Sequence, residues 1–74
     1  MSQPAVTWGQ LKKYLTKNGY RLYHAGGDVI VHKAPRKHRI GHHYCNSHTD
    51  IISKGHLAKL KQKFCITRDD ILGP

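Results

Sequence analysis

No stretch of this chain approaches the roughly 20 consecutive apolar residues that cross a bilayer as a helix, which argues against a membrane partner. Length is short as well: 74 residues cannot build two cores, and a chain of that size buries only roughly 60% of its unfolded surface. Two-domain architectures and large-cleft enzymes are thereby set aside. Cysteine is sparse, with only Cys45 and Cys65, and the segment Met1 to Trp8 has neither the basic start nor the apolar stretch of a secretion signal. A cytoplasmic location with reduced thiols is the expectation. Negative charge is scarce too. Four acidic residues stand against thirteen Lys and Arg, a formal net charge of +9 with histidine neutral, and seven histidines can add to it in acid. Such an imbalance says nothing of fold, but it points to a polyanionic partner, RNA or DNA. With 38% hydrophobic residues in patterned groups, the chain is expected to fold rather than stay disordered.

What is present reads as a small single domain. Residues 1–6 are expected to form a flexible N-terminus. Thr7 can cap a helix, Gln10 can cap back, and Val6 can staple onto Leu11. That helix carries Leu11, Tyr14 and Leu15 on one face and stops at Asn18-Gly19. From Tyr20 the pattern alternates, and Gly26-Gly27 supplies the positive φ angles of a hairpin turn into a strand from Asp28 to Lys33. In that strand Asp28, Ile30 and His32 share one face, Val29 and Val31 the other. Ala34 to Lys37 reads as a turn and His38 to Tyr44 as a third strand, with Ile40 and Tyr44 as its core residues. After a polar loop, Asn46 to Asp50, comes a capped helix at Ser53 with an Ile52 to Leu57 staple, burying Leu57, Leu60 and Phe64. Thr67, followed by Asp69 and Asp70, opens a short final helical turn. The expected fold is α+β, α-β-β-β-α, with two helices on one face of a three-stranded antiparallel sheet.

This order, the string Leu11-Lys12-Lys13-Tyr14-Leu15-Thr16-Lys17-Asn18-Gly19-Tyr20, the string from Ile52 to Gln62 and the tail Thr67 to Leu72 together resemble the HicA family of bacterial and phage toxins. Members of that family are small mRNA interferases with a double-stranded-RNA-binding-like fold. The resemblance spans nearly the whole chain and implies RNA binding, a place in a toxin-antitoxin or phage system, a HicB-like antitoxin as partner, and endoribonuclease activity without a cofactor. The family's motif histidine follows a small turn residue at the start of the second strand. In that place this sequence has Ala25-Gly26-Gly27-Asp28. Direct cleavage is therefore expected to be weak or absent, with a non-enzymatic binding module as the alternative. Should the chain cut RNA, His32 is the first choice of substitute, on the face shared with Asp28, which itself replaces at most the base of an acid-base pair.

The residues themselves mark further candidates. Lys33, Arg36, Lys37 and Arg39 lie on and around one turn, and Lys54 and Lys59 are expected to face the same side, a surface suited to phosphate contacts driven by counterion release. Gly55, in the first turn of the second helix, permits close approach of a phosphate to backbone N-H groups. Tyr23 and Tyr44 are the aromatics left for stacking once Trp8, Tyr14, Tyr20 and Phe64 are assigned to the core. For acid-base chemistry His32, His42, His43 and His56 are candidates beside Asp28. The spacing His42-x-x-Cys45-x-x-His48 could close part of a zinc site, but it lacks an evident fourth ligand, so no metal is assigned.

Overall fold

The computed structural model describes residues 5–73. Helix α1 (Trp8–Lys17) is followed by strands β1 (Arg21–Ala25), β2 (Asp28–Lys33) and β3 (Arg36–Ile40), then helix α2 (Lys54–Phe64) and a final short helix α3 (Arg68–Leu72). A single 3-10 turn, His42–Tyr44, lies between β3 and the loop that leads to α2. The three strands form one antiparallel sheet in the order β1-β2-β3. This is the α+β arrangement that the sequence predicts. Among the described residues no helix is long and apolar enough to cross a membrane.

Each helix begins where side-chain chemistry satisfies its first N-H groups. The Gln10 N-H donates to Thr7 Oγ1 at 3.3 Å while the Thr7 N-H donates to Gln10 Oε1 at 3.0 Å, a reciprocal box. Thr67 and Asp70 repeat it at α3, and Ser53 Oγ accepts from the His56 N-H at 3.2 Å at α2. The α1 exit is a Schellman motif, with Tyr20 N-H to the Leu15 carbonyl at 3.0 Å and Gly19 N-H to that of Thr16 at 3.4 Å. Pairing of Ala25 with Asp28 leaves Gly26 and Gly27 as a two-residue turn. Both have positive φ, 61° and 89°, which a side chain would resist.

Val29, Val31 and Ile40 pack from the sheet onto Leu11 and Leu15 of α1 and Leu60 of α2, joined by Val6, Trp8, Ile52 and Ile66. A fully buried Leu or Ile side chain contributes roughly 1.5–3 kcal/mol, so this layer is the main source of stability. Leu57 and Phe64 are only half-buried beside it, as are Tyr14, Tyr20 and Tyr44. The loop before α2 also joins the core: Trp8 N-H donates to the Asp50 carbonyl at 2.8 Å and Gly9 N-H to that of His48 at 3.1 Å. At Gly9 a Cβ would stand 3.0 Å from His48 Cβ, so glycine is what admits this approach. Asp50 Oδ2 holds the same loop from the N-H groups of Asn46 and Ser47.

Two expectations need correction. The flexible N-terminus cannot reach residue 6: Val6 is fully buried and its carbonyl accepts from the Ile52 N-H at 2.9 Å, while residues 1–4 lie outside the described ones. The third strand starts and ends earlier than His38 to Tyr44. Lys33 pairs with Arg36, so the turn is only Ala34-Pro35, joined by a cis peptide bond. The strand ends at Ile40 because the chain then turns into the 3-10 segment holding His42 to Tyr44.

The box at α1 makes its own test. Thr7→Ala removes the Gln10 N-H acceptor and is expected to cost about 1 kcal/mol, read as a lower melting temperature than that of a Thr7→Ser variant, which restores the hydroxyl.

Candidate nucleic-acid interface

Antiparallel partners share a face, so the register divides the sheet cleanly. Leu22, Val31 and His38 form one row towards the helices, and His24, Val29 and Ile40 another. On the opposite face, which no described helix covers, the rows are Arg21, His32 and Lys37, then Tyr23, Ile30 and Arg39, with Asp28 beside Ala25 at the end. Tyr23 remains 44% exposed, its ring edge-on to that of His32 with centroids 6.3 Å apart. Ile30 is buried beneath its neighbours, at the floor of a shallow depression of about 260 Å³ lined by Tyr23, Ala25, Lys37 and Arg39. Lys37 and Arg39 are exposed at its rim, and Arg21, also exposed, borders a neighbouring depression with His32 and Lys33.

The basic cluster of the sequence is thereby split. Lys37 and Arg39 lie on the open face; Lys33 and Arg36 alternate to the helical face at the end of the hairpin. There Lys33 Nζ sits 4.5 Å from the centre of the Tyr20 ring, a cation-π contact. Arg36 Nη1 donates to the Lys63 carbonyl at 2.8 Å, where a cation complements the C-terminal end of α2. Lys63 Nζ in turn donates to the Lys37 carbonyl at 3.2 Å. Lys54, Gly55 and Lys59 belong to α2 in the helical layer and do not join the sheet-face cations. A Cβ at Gly55 would meet only Ser53 Oγ, at 3.8 Å, so packing does not demand glycine there. Arg21 was not singled out by the sequence, although the signal existed: counting by twos from the core residues Ile40 and Val31 sends Lys37 and Arg39 outward, and pairing then brings Arg21 to them.

Asp28 organises the corner of this face. Its Oδ1 accepts from the His42 backbone N-H at 3.0 Å and contacts the ring Nδ1 at 3.4 Å, and its Oδ2 accepts from Arg39 Nη1 at 3.3 Å. The His42 backbone N-H, the largest effect, together with the weaker contributions of the His42 ring and Arg39, holds the carboxyl below the ordinary aspartate range; desolvation, second only to that N-H, opposes them. His32, by contrast, lies four residues along the strand, about 13 Å away at the usual strand rise. The shared face that recommended it does not bring it to Asp28. Comparison with family models, with curated proteins and with solved structures finds no match. The chemistry of the site therefore rests on these contacts alone.

A second histidine group lies between sheet and helix. His38, buried on the inner face of β3, shares a hydrogen bond with His56 of α2, Nε2 to Nδ1 at 2.9 Å. Tyr44 stacks beside them, 5.0 Å from His56 and 4.5 Å from His43 between ring centres, which takes it out of the group of free aromatics. The suggested zinc cluster does not assemble. His42 is engaged by Asp28, burial pushes the Cys45 thiol up to about 11, with Asp50 and Asp28 adding to the effect, and His48 lies against Gly9. Among the described residues no group of three or more His, Cys, Asp or Glu is gathered to hold a metal ion.

The pair of imidazoles predicts a response to acid. One ring donates and the other accepts, so a second added proton would set two N-H groups face to face. Burial lowers His38 to about 4, helped by His56, Lys63 and Lys59, and burial with His43 lowers His56. Unfolded histidine near 6.5 binds protons that the folded pair refuses. Stability is thus complete above about 6.5, falls as pH drops from there towards 4, and gains no further penalty from His38 below it. The loss from His38 is at most roughly 3 kcal/mol. Melting temperatures between pH 7.5 and 4 should show the fall, and His38→Leu should flatten it; a flat wild-type profile would contradict the pairing.

Proposed function

We propose that this chain is an RNA-binding domain of the HicA-like kind, acting in a toxin-antitoxin or phage setting, that receives single-stranded RNA across the uncovered face of its sheet. The observation that carries the proposal is the placing of Arg21, Lys37 and Arg39 around the exposed ring of Tyr23 on one continuous face. Cations at that spacing follow a phosphate backbone, and an exposed ring beside a shallow depression suits an unpaired base. A duplex would keep its bases stacked away from Tyr23, which favours the single strand. The scarcity of acid supports the same reading. Asp28 is paired with Arg39 and His42, while Asp50 lies in the loop before α2 and Asp69 and Asp70 in α3, away from the open sheet face, so little unpaired negative charge on that face opposes the approach of a polyanion. A HicB-like antitoxin would be a protein that covers this face and presents carboxylates to it. The second reading, a non-enzymatic module on the same fold, is favoured by Asp28 standing where the resembling family has its motif histidine.

Binding of a labelled RNA oligonucleotide over a series of salt concentrations tests the face. Each phosphate contact to a single strand adds roughly 0.7 to the salt slope, so joint Arg21, Lys37 and Arg39 to Ala changes should flatten the slope by about 2. Tyr23→Ala should weaken binding by roughly 1–3 kcal/mol. Replacing Lys12, Lys13 and Lys17 of α1 should leave the slope nearly as it was. Equal flattening by both sets would mean that overall charge, not this face, recruits the RNA.

A further inference from the structure

Helix α2 and the start of α3 form a second surface, in the helical layer, that the RNA-binding reading does not use. Lys54, Leu57, Ala58 and Lys61 recur at the three- and four-residue intervals that align side chains along one face of a helix. Together with Ile66 and Arg68 they line a groove of about 540 Å³, against about 260 Å³ for the depression beside Tyr23. Ile66 is buried, Leu57 half-buried and Ala58 exposed, so the middle of the groove is apolar. Lys54 and Lys61, both exposed, stand one turn before and one turn after that middle. We propose that this groove docks an acidic amphipathic helix of a partner protein, independently of the sheet face.

Charge selects the occupant. Residues 51–68 contain no Asp or Glu, so α2 has no carboxylate of its own to pair with Lys54 or Lys61. Among the described residues Asp69 is the one carboxylate lining the groove, against three cations. Length agrees with charge. From Lys54 to Lys61 the helix rises about 10 Å at 1.5 Å per residue, and an amphipathic ligand presents its anchors at i, i+3, i+4 and i+7 over the same rise. Its apolar stripe can therefore lie on Leu57, Ala58 and Ile66 while carboxylates bordering the stripe reach Lys54, Lys61 and Arg68. Ala58, short and exposed at the middle, leaves room for the partner's backbone to come close.

Other occupants fit this surface less well. A second copy of the chain carries the same +9 charge and would bring cations to cations. A nucleic-acid strand would pair with the lysines but would set charged phosphates against the floor of Leu57 and Ile66, at a desolvation cost. The helices cover the inner face of the sheet and Tyr23 lies on the outer one, so a helix in the groove and a ligand on the sheet face do not compete.

The test uses the full chain and a fluorescein-labelled synthetic peptide of about 15 residues, long enough to form a helix, with Leu at i, i+3, i+4 and i+7 and Glu bordering that stripe. One control scrambles its order and another replaces Glu by Gln. The acidic helix should bind, and nitrogen-15 spectra should show amide shifts concentrated on residues 54–61 and 66–69. Ala58→Glu, a change at an exposed helical position, puts a carboxylate at mid-groove and should weaken binding by about 10-fold or more. Ala58→Gln, of the same size without the charge, should weaken it less. Lys54→Gln with Lys61→Gln, or the Gln peptide on wild type, should cost roughly 5-fold. Joint Arg21, Lys37 and Arg39 to Ala changes should stay within about 2-fold of wild type at physiological salt, where distant charges are screened. Absence of binding, equal binding of the scrambled peptide, shifts centred on the sheet face, or binding that survives Ala58→Glu overturns the proposal and leaves the RNA-binding reading untouched. If a uridine oligonucleotide displaces the peptide and shifts the same amides, the groove belongs to nucleic acid and the proposal falls.

Discussion

The contact of Val29, Val31 and Ile40 with Leu11, Leu15 and Leu60 is the one on which the remainder of the structure depends. A strand turns successive side chains to opposite faces, so choosing the buried set chooses the exposed one. A chain this short supplies a single helical layer, enough to cover one face of the sheet. The other face is left to carry Arg21, Lys37 and Arg39 at little desolvation cost, because they remain in water. The core and the basic surface are consequently two results of the same register, and a one-residue slip of β3 would exchange them.

Scarce carboxylates shape what that surface is able to do. Three of the four aspartates act on backbone N-H groups: Asp50 on the loop before α2, Asp70 at the α3 cap, Asp28 at His42. Asp28 alone joins this role to the sheet face, since its second oxygen reaches Arg39. One carboxylate can thus close the end of β3 and orient an imidazole beside a cation. Its negative charge, which would oppose a nucleic acid if it stood in the open, is neutralised locally by Arg39 and withdrawn behind it.

Histidines, abundant for so small a domain, serve different ends according to burial. His38 and His56 tie β3 to α2 through a shared hydrogen bond and stay neutral because a charge there would be poorly hydrated. His48 lies where α1 meets the loop, against Gly9. His32 and His42 remain on the accessible side, one beside Tyr23 and one against Asp28. Residue type alone does not separate these roles; the neighbours do.

By itself the sequence determined the order of elements, the starts of the three helices and the tight hairpin at Gly26-Gly27. These depend on contacts within a few residues, Thr7 with Gln10, Ser53 with His56, Thr67 with Asp70, whose geometry is written in their spacing. Tertiary structure alone decided the site. The limits of β3 follow from pairing with β2, which moved the strand two residues earlier at its start and divided Lys33 and Arg36 from Lys37 and Arg39. Asp28 meets Arg39 eleven residues on and His42 fourteen residues on, across the sheet corner, and His38 finds His56 eighteen residues on, across the core. No local spacing encodes either meeting, because each is set by how whole elements pack and by the register that burying one sheet face imposes.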